Sequence, residues 1–143
     1  MKARLAGINH VALQVDDLEA AVEFYTALFE PTAVERSEQN AAFLELGDQF
    51  IALFERGARG EEPHFGLVVD DKDAARRALE EAGVELPPGR SLDFHDPSGN
   101  LVQIVQYDQI QFTKADHVLT AMSLSPAKTE SALNELRAKG LAS

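Results

Sequence analysis

Two histidines stand at matching places in a repeated stretch. Residues 10–21 read HVALQVDDLEAA and residues 64–75 read HFGLVVDDKDAA. His10 meets His64, Leu13 meets Leu67, Val15 meets Val69, and Asp16-Asp17 meets Asp70-Asp71. Such a repeat means two copies of one supersecondary unit. Two related units, each with an imidazole near the start of a strand, can point both rings into one cavity. Imidazole is the commonest metal ligand, so metal binding is the first chemistry to weigh.

Strand alternation decides what shares a face with each histidine. Ala12 and Gln14 lie beside His10, and Gly66 and Val68 beside His64. The opposite faces (Val11, Leu13, Val15 and Phe65, Leu67, Val69) are apolar and suited to packing under helices. On a last strand, LVQIVQ (101–106), Gln103 is polar within an apolar run and needs a partner: Asn9, Gln14 or a histidine ring. The repeat pairs that strand with FIALF (50–54), and Ala52 then falls opposite Gln103. A cup built from both halves has His10, His64 and Gln103 on its floor. Ala52 takes the fourth corner, walled by Phe50 and Phe54. Glu45 is the nearest acidic side chain by sequence. His95 adjoins a turn and reads as a surface residue, and His117 as structural.

These residues need elements to hold them. Residues 8–15 read as a strand, followed by a helix of about 18–29 capped by Asp16 or Asp17, with Leu18, Ala21, Val22, Tyr25, Leu28 and Phe29 on its apolar stripe. Pro31 stops it. Strands near 42–46 and 49–55 follow, joined at Gly47-Asp48. RGARGEEP (56–63) is a linker between the halves. The second half repeats the order: a strand from His64, a helix capped by Asp70 or Asp71 and ended by Gly83, a short segment Val84–Leu86 with strand character, and a hairpin over 91–106 turning at DPSGN. Each half is therefore β-α-β-β with room for one more strand. Residues 108–143 have no counterpart. There Ser125-Pro126 reads as a helix start, carried on by Leu133 and Leu136 to Gly140. A short amphipathic tail must dock to be stable. A packing helix on the sheet or at a dimer contact is the expected role, and a lid over the cup the alternative.

Composition narrows the function classes. The 143 residues carry a net charge of −11, which excludes a nucleic-acid surface and disfavours a polyanionic substrate. No cysteine is present, so a disulfide, a cysteine nucleophile and Cys-bound zinc are excluded; a cytoplasmic location is expected. No apolar run reaches the roughly 18 residues of a membrane span, and MKARLAG lacks a leader's apolar stretch.

The stretches INHVALQVDDLEAAVEFYTALF (8–29), PHFGLVVDD (63–71) and FHDPSGNLVQIVQ (94–106) resemble the vicinal oxygen chelate superfamily of glyoxalase I, extradiol dioxygenases, fosfomycin-modifying thiol transferases and bleomycin-resistance proteins. The resemblance implies an α+β fold: two βαβββ modules, about 7–56 and 62–107, forming a curved half-open barrel within a domain of 1–107, plus a C-terminal helical extension over 108–143. It also implies a homodimer. In its metal-dependent members two histidines and a glutamate commonly bind the ion. Here His10 and His64 match, Gln103 replaces the usual glutamate, and Ala52 stands where a further glutamate would fall. A divalent metal (Zn, Ni, Mn or Fe) is therefore expected to bind more weakly than to a carboxylate-bearing set. Two functions are implied. One is a metal-assisted enzyme on a small oxygenated substrate, of lyase, isomerase or dioxygenase kind. The other is a metal-free binding protein like the bleomycin-resistance members, with Phe50, Ala52, Phe54 and Tyr107 lining the ligand site.

Overall fold

Helix caps set the frame of both halves. Asp17 and Asp71, each extended, accept the backbone N–H three residues on, from Ala20 and Ala74. That starts α1 (Leu18–Leu28) and α2 (Lys72–Glu81) at matching points of the repeat. Gly83, at φ +75°, closes α2: its N–H bonds Glu80 O, and that of Val84 bonds Leu79 O.

The computed structural model describes residues 1–58, 62–89 and 91–143. The middle of the expected 56–63 linker lies outside the described residues. Seven strands are described: β1 (Leu5–Val15), β2 (Ala33–Arg36), β3 (Ala41–Leu46), β4 (Gln49–Glu55), β5 (His64–Val69), β6 (Leu92–His95) and β7 (Leu101–Gln106). They form one open mixed sheet in the order β2-β3-β4-β1-β5-β7-β6. The two halves join through the antiparallel pair β1 and β5; β4 lies parallel to β1, and β7 parallel to β5. The fold is α+β with a pseudo-twofold arrangement about the β1–β5 seam. The first half is βαβββ. β2 is the additional strand the sequence left room for, exposed at the sheet edge. The second half is βαββ among the described residues. Val84–Leu86 forms no strand, because Pro87 and Pro88 offer no N–H to a ladder and Leu86 packs under α2's cluster instead.

One face of the sheet is covered by α1 and α2. Leu18 and Val22 meet Ala42, Leu44 and Leu53, and Ala75 and Leu79 meet Val69, Val102 and Ile104. Two expectations fail here. Leu28 and Phe29 are 60% and 69% exposed. They lie at the end of α1, past the sheet's cover. Leu13, placed under a helix by simple alternation, is 38% exposed.

The opposite face is shared between a cavity and the tail. Val68 and Val105 lie on that face, two residues beyond Gly66 and Gln103, and carry a cluster with Tyr107, Phe112, Leu119 and Leu124. The tail is thus a packing element on the sheet, and no described residue beyond Gln103 lines the cavity. It contains α3 (Asp116–Ala121), which the sequence reading missed, and α4 (Glu130–Ala138). α4 starts later than Ser125-Pro126 suggests, because Thr129 caps it by accepting from Ala132 N. Lys128 locks the tail: its ammonium donates to the carbonyls of Tyr107, Ile110 and Phe112 and lies 3.4 Å over the Tyr107 ring. Burial pushes this ammonium down to about 8, against the attraction of Asp108 and Asp48.

Candidate functional site

A bulge in β1 sets the first histidine. Between Ile8 and His10 the pairing with β5 slips, so Asn9 is an extra residue opposite no partner. Asn9 and His10 are both buried, and His10 Nδ1 lies 2.9 Å from Asn9 Oδ1. They occupy the space that a side chain at Gly66 would need. A Cβ there would meet Asn9 Oδ1 at 2.2 Å and His10 Nδ1 at 2.3 Å. A glycine inside a strand often marks such a close approach. His10 stacks flat on Phe50, its neighbour on β4, with centroids 4.7 Å apart and planes within 1°.

His64 stands edge-on to His10, with ring centroids 5.3 Å apart. Its Nδ1 lies 2.9 Å from the backbone oxygen of Glu62. A carbonyl only accepts, so Nδ1 carries the proton and Nε2 holds the lone pair. With Asn9 Oδ1 as acceptor, the same holds for His10. Gln103 completes the group: it lines the same cavity as the two rings, and its Nε2 donates to Ser91 Oγ at 3.3 Å. The bond found for Gln103 is to Ser91, outside the expected set, and Gln14 accepts from Arg56.

These side chains line one cavity of about 520 Å³, in the range of small-ligand sites. Phe43, Phe50 and Phe54 form its apolar wall, with Ala52 between them as expected. Lining residues that were not foreseen include Phe43, Glu62 and Asp93. Asp93 was within reach of the sequence, since it and Gln103 lie equally far from Ser98 at the hairpin turn and therefore pair. Tyr107 is a correction. It turns away in a 3-10 turn after β7, is 5% exposed, and packs on Phe112 and under Lys128. Glu45 faces the cavity side of the sheet beyond Phe43. It is buried against Lys139 of the tail at 3.1 Å and is absent from the described lining. His95 is on the surface and pairs with Glu62 at 2.9 Å.

Burial, and then the nearby charge of His64, hold His10 down at about 4; the contact with Gln103 opposes them. The ring is therefore neutral at pH 7, the form a metal or a proton donor needs. Histidines that bind metals characteristically give their second nitrogen to an oxygen acceptor, as both rings do here. No cluster of three or more His, Cys, Asp or Glu able to hold a metal occurs among the described residues. The lining side chains that could hold an ion without a carboxylate are therefore the two imidazoles and the Gln103 amide. This set supplies no charge.

Residues 7–104 match the profile of the Glyoxalase/Bleomycin resistance protein/Dioxygenase superfamily. The chain belongs to this superfamily. Among curated relatives of this glyoxalase-superfamily protein, the metallothiol transferase FosB of Shouchella clausii is 29% identical over 115 residues, covering 68% of this chain and 78% of that protein. The glutathione transferase FosA of Serratia marcescens is 30% identical over 114 residues, covering 70% and 80%. The Mn(II)-bound glyoxalase of Novosphingobium aromaticivorans superimposes with a TM-score of 0.53 at 21% identity. That match covers 90% of this chain but 42% of the glyoxalase, and it speaks for the fold alone. No helix among the described residues is long and apolar enough to cross a membrane.

Proposed function

We propose that this glyoxalase-superfamily chain is a metal-assisted enzyme on a small oxygenated substrate, with His10, His64 and Gln103 as the metal-binding residues. The observation that carries the reading is the pair of imidazoles. They come from matching points of the two halves, and each has its Nδ1 bound to an oxygen and its Nε2 left over. A divalent ion bound there supplies Lewis acidity toward a substrate oxygen. The chain's own residues do the rest. Phe43, Phe50 and Phe54 bind the apolar part of the substrate and exclude water. Stacking on Phe50 fixes the plane of His10, and the low proton affinity of that ring keeps it free to ligate. The described lining holds the carboxylates of Glu62 and Asp93 and no Lys or Arg, which supports a neutral substrate over a polyanion. The two transferase relatives make thiol transfer the first reaction class to assay, beside isomerase, lyase and dioxygenase chemistry.

The second reading is a metal-free binding protein, in which the cup takes an apolar ligand between Phe50, Ala52 and Phe54. The uncharged donor set and Ala52 at the fourth corner favour it. A homodimer belongs to either reading, and the exposed Phe24, Leu28 and Phe29 give it an apolar patch. A cytoplasmic location remains part of the proposal. Elemental mass spectrometry of the full chain separates the two readings. Near-stoichiometric Zn, Ni, Mn or Fe, lost in His10→Ala and His64→Ala while the fold persists, supports the enzyme. Metal-free protein after incubation with each ion overturns it in favour of the binding protein.

A further inference from the structure

We propose that Asp93 is a positioning residue of the cup: through Ser91 it turns the carbonyl of Gln103 toward His10 and the bound ion. The inference rests on the metal-assisted reading, and concerns how an uncharged third ligand is made to work. Asp93 on β6 is directly opposite Gln103 on β7, and both line the cavity. The Ser91 hydroxyl donates to Asp93 Oδ1 at 2.7 Å. A carboxylate only accepts, so the hydroxyl proton is committed to Asp93. Ser91 Oγ is then left as an acceptor, and it takes the proton of Gln103 Nε2. The amide can satisfy this in one orientation, with the NH2 toward Ser91 and the oxygen on the other side.

The orientation matters because Gln103 is the one described floor residue with a side-chain oxygen to offer beside the two rings. Its twofold counterpart is Ala52. Flipped, the amide would present donors to the ion and ligate nothing. Asp93 also brings a half-buried negative charge to the wall of a site whose three donors carry none. A purely local role, in which Ser91 and Asp93 brace the start of β6, would leave metal affinity unmoved.

The test is titration of Co(II) into the full chain by calorimetry, for wild type, Asp93→Ala, Ser91→Ala, the double variant and Ser91→Thr. Changes in such supporting partners cost roughly 10–100-fold in affinity. The relay predicts about a tenfold or greater loss in each single alanine variant. It predicts that the double variant loses no more than Asp93→Ala alone, and recovery in Ser91→Thr, which restores the hydroxyl. Wild-type affinity in either alanine variant, or losses that multiply in the double variant, would overturn it. If wild type takes up no Co(II), the metal reading falls, and the relay is judged on the ¹H–¹⁵N signals of the Gln103 side-chain amide. Those signals shift in both alanine variants if the relay exists; unchanged signals refute it.

Discussion

Replacing Gly66 by alanine should damage stability and the site together. The added methyl would lie 2.2 Å from Asn9 Oδ1 and 2.3–2.4 Å from two atoms of the His10 ring. Ordinary contacts between such atoms are about 3.5–4.0 Å, so the overlap exceeds 1 Å on two residues at once. Neither has an easy retreat. Asn9 and His10 hold each other, and His10 is pressed flat on Phe50. Overpacking of this kind costs about 1–3 kcal/mol, and the double clash places Gly66→Ala near the upper end. For a chain of this size about 3 kcal/mol is a fall of roughly 6–12 °C in Tm, read by thermal unfolding. Displacement of His10 should also weaken metal uptake by about tenfold or more. Gly7→Ala is the control. Its methyl strikes Phe112 of the tail at 2.6 Å, away from the cavity, and should lower Tm without touching metal affinity. A Gly66→Ala protein with wild-type Tm and wild-type metal affinity would refute the packing argument.

Acid should destabilise the metal-free protein through His10. Folded, the ring takes its proton near pH 4, but unfolded near 6.5, so the unfolded chain binds more protons between these values and stability falls as pH drops through that window. The full effect is about 3 kcal/mol, measured by urea unfolding across pH 4–6.5, and His10→Gln should flatten it. Lys128→Met leaves three carbonyls without their shared donor. It should cost about 3 kcal/mol and raise amide exchange over the tail more than over β1 and β5. Gln103→Glu adds the missing charge and should raise divalent-metal affinity by at least about tenfold in calorimetry; no gain would remove Gln103 from the site.

Much of the site could be read in the sequence because it follows from strand alternation and the repeat. Alternation sets Ala52 and Gln103 on the cavity face with His64, and the repeat makes them twofold equivalents. Asp17 and Asp71 cap their helices for a local reason, the hydrogen bond to the third residue on. What escaped depends on departures from regularity or on distant contacts. The bulge at Asn9 breaks alternation in β1, so an asparagine assigned to the face opposite His10 holds that ring. Tyr107 directly follows the last residue of β7, and a continuing strand would have carried it along the sheet. The chain turns there, and the tyrosine becomes the platform for Lys128. Glu45, the nearest acidic side chain by sequence, is held by Lys139 from far along the chain. Phe43 was missed as wall because its place depends on how β3 pairs with β4, a register that strand propensity alone does not settle.

The most direct test of the central claim is anomalous diffraction from a crystal of the full chain grown with Co(II). The account predicts one strong peak in the cup, within bonding distance of His10 Nε2 and His64 Nε2 and of the Gln103 side-chain oxygen. A cup without a peak, or a peak elsewhere on the molecule with both histidines unbound, would contradict it.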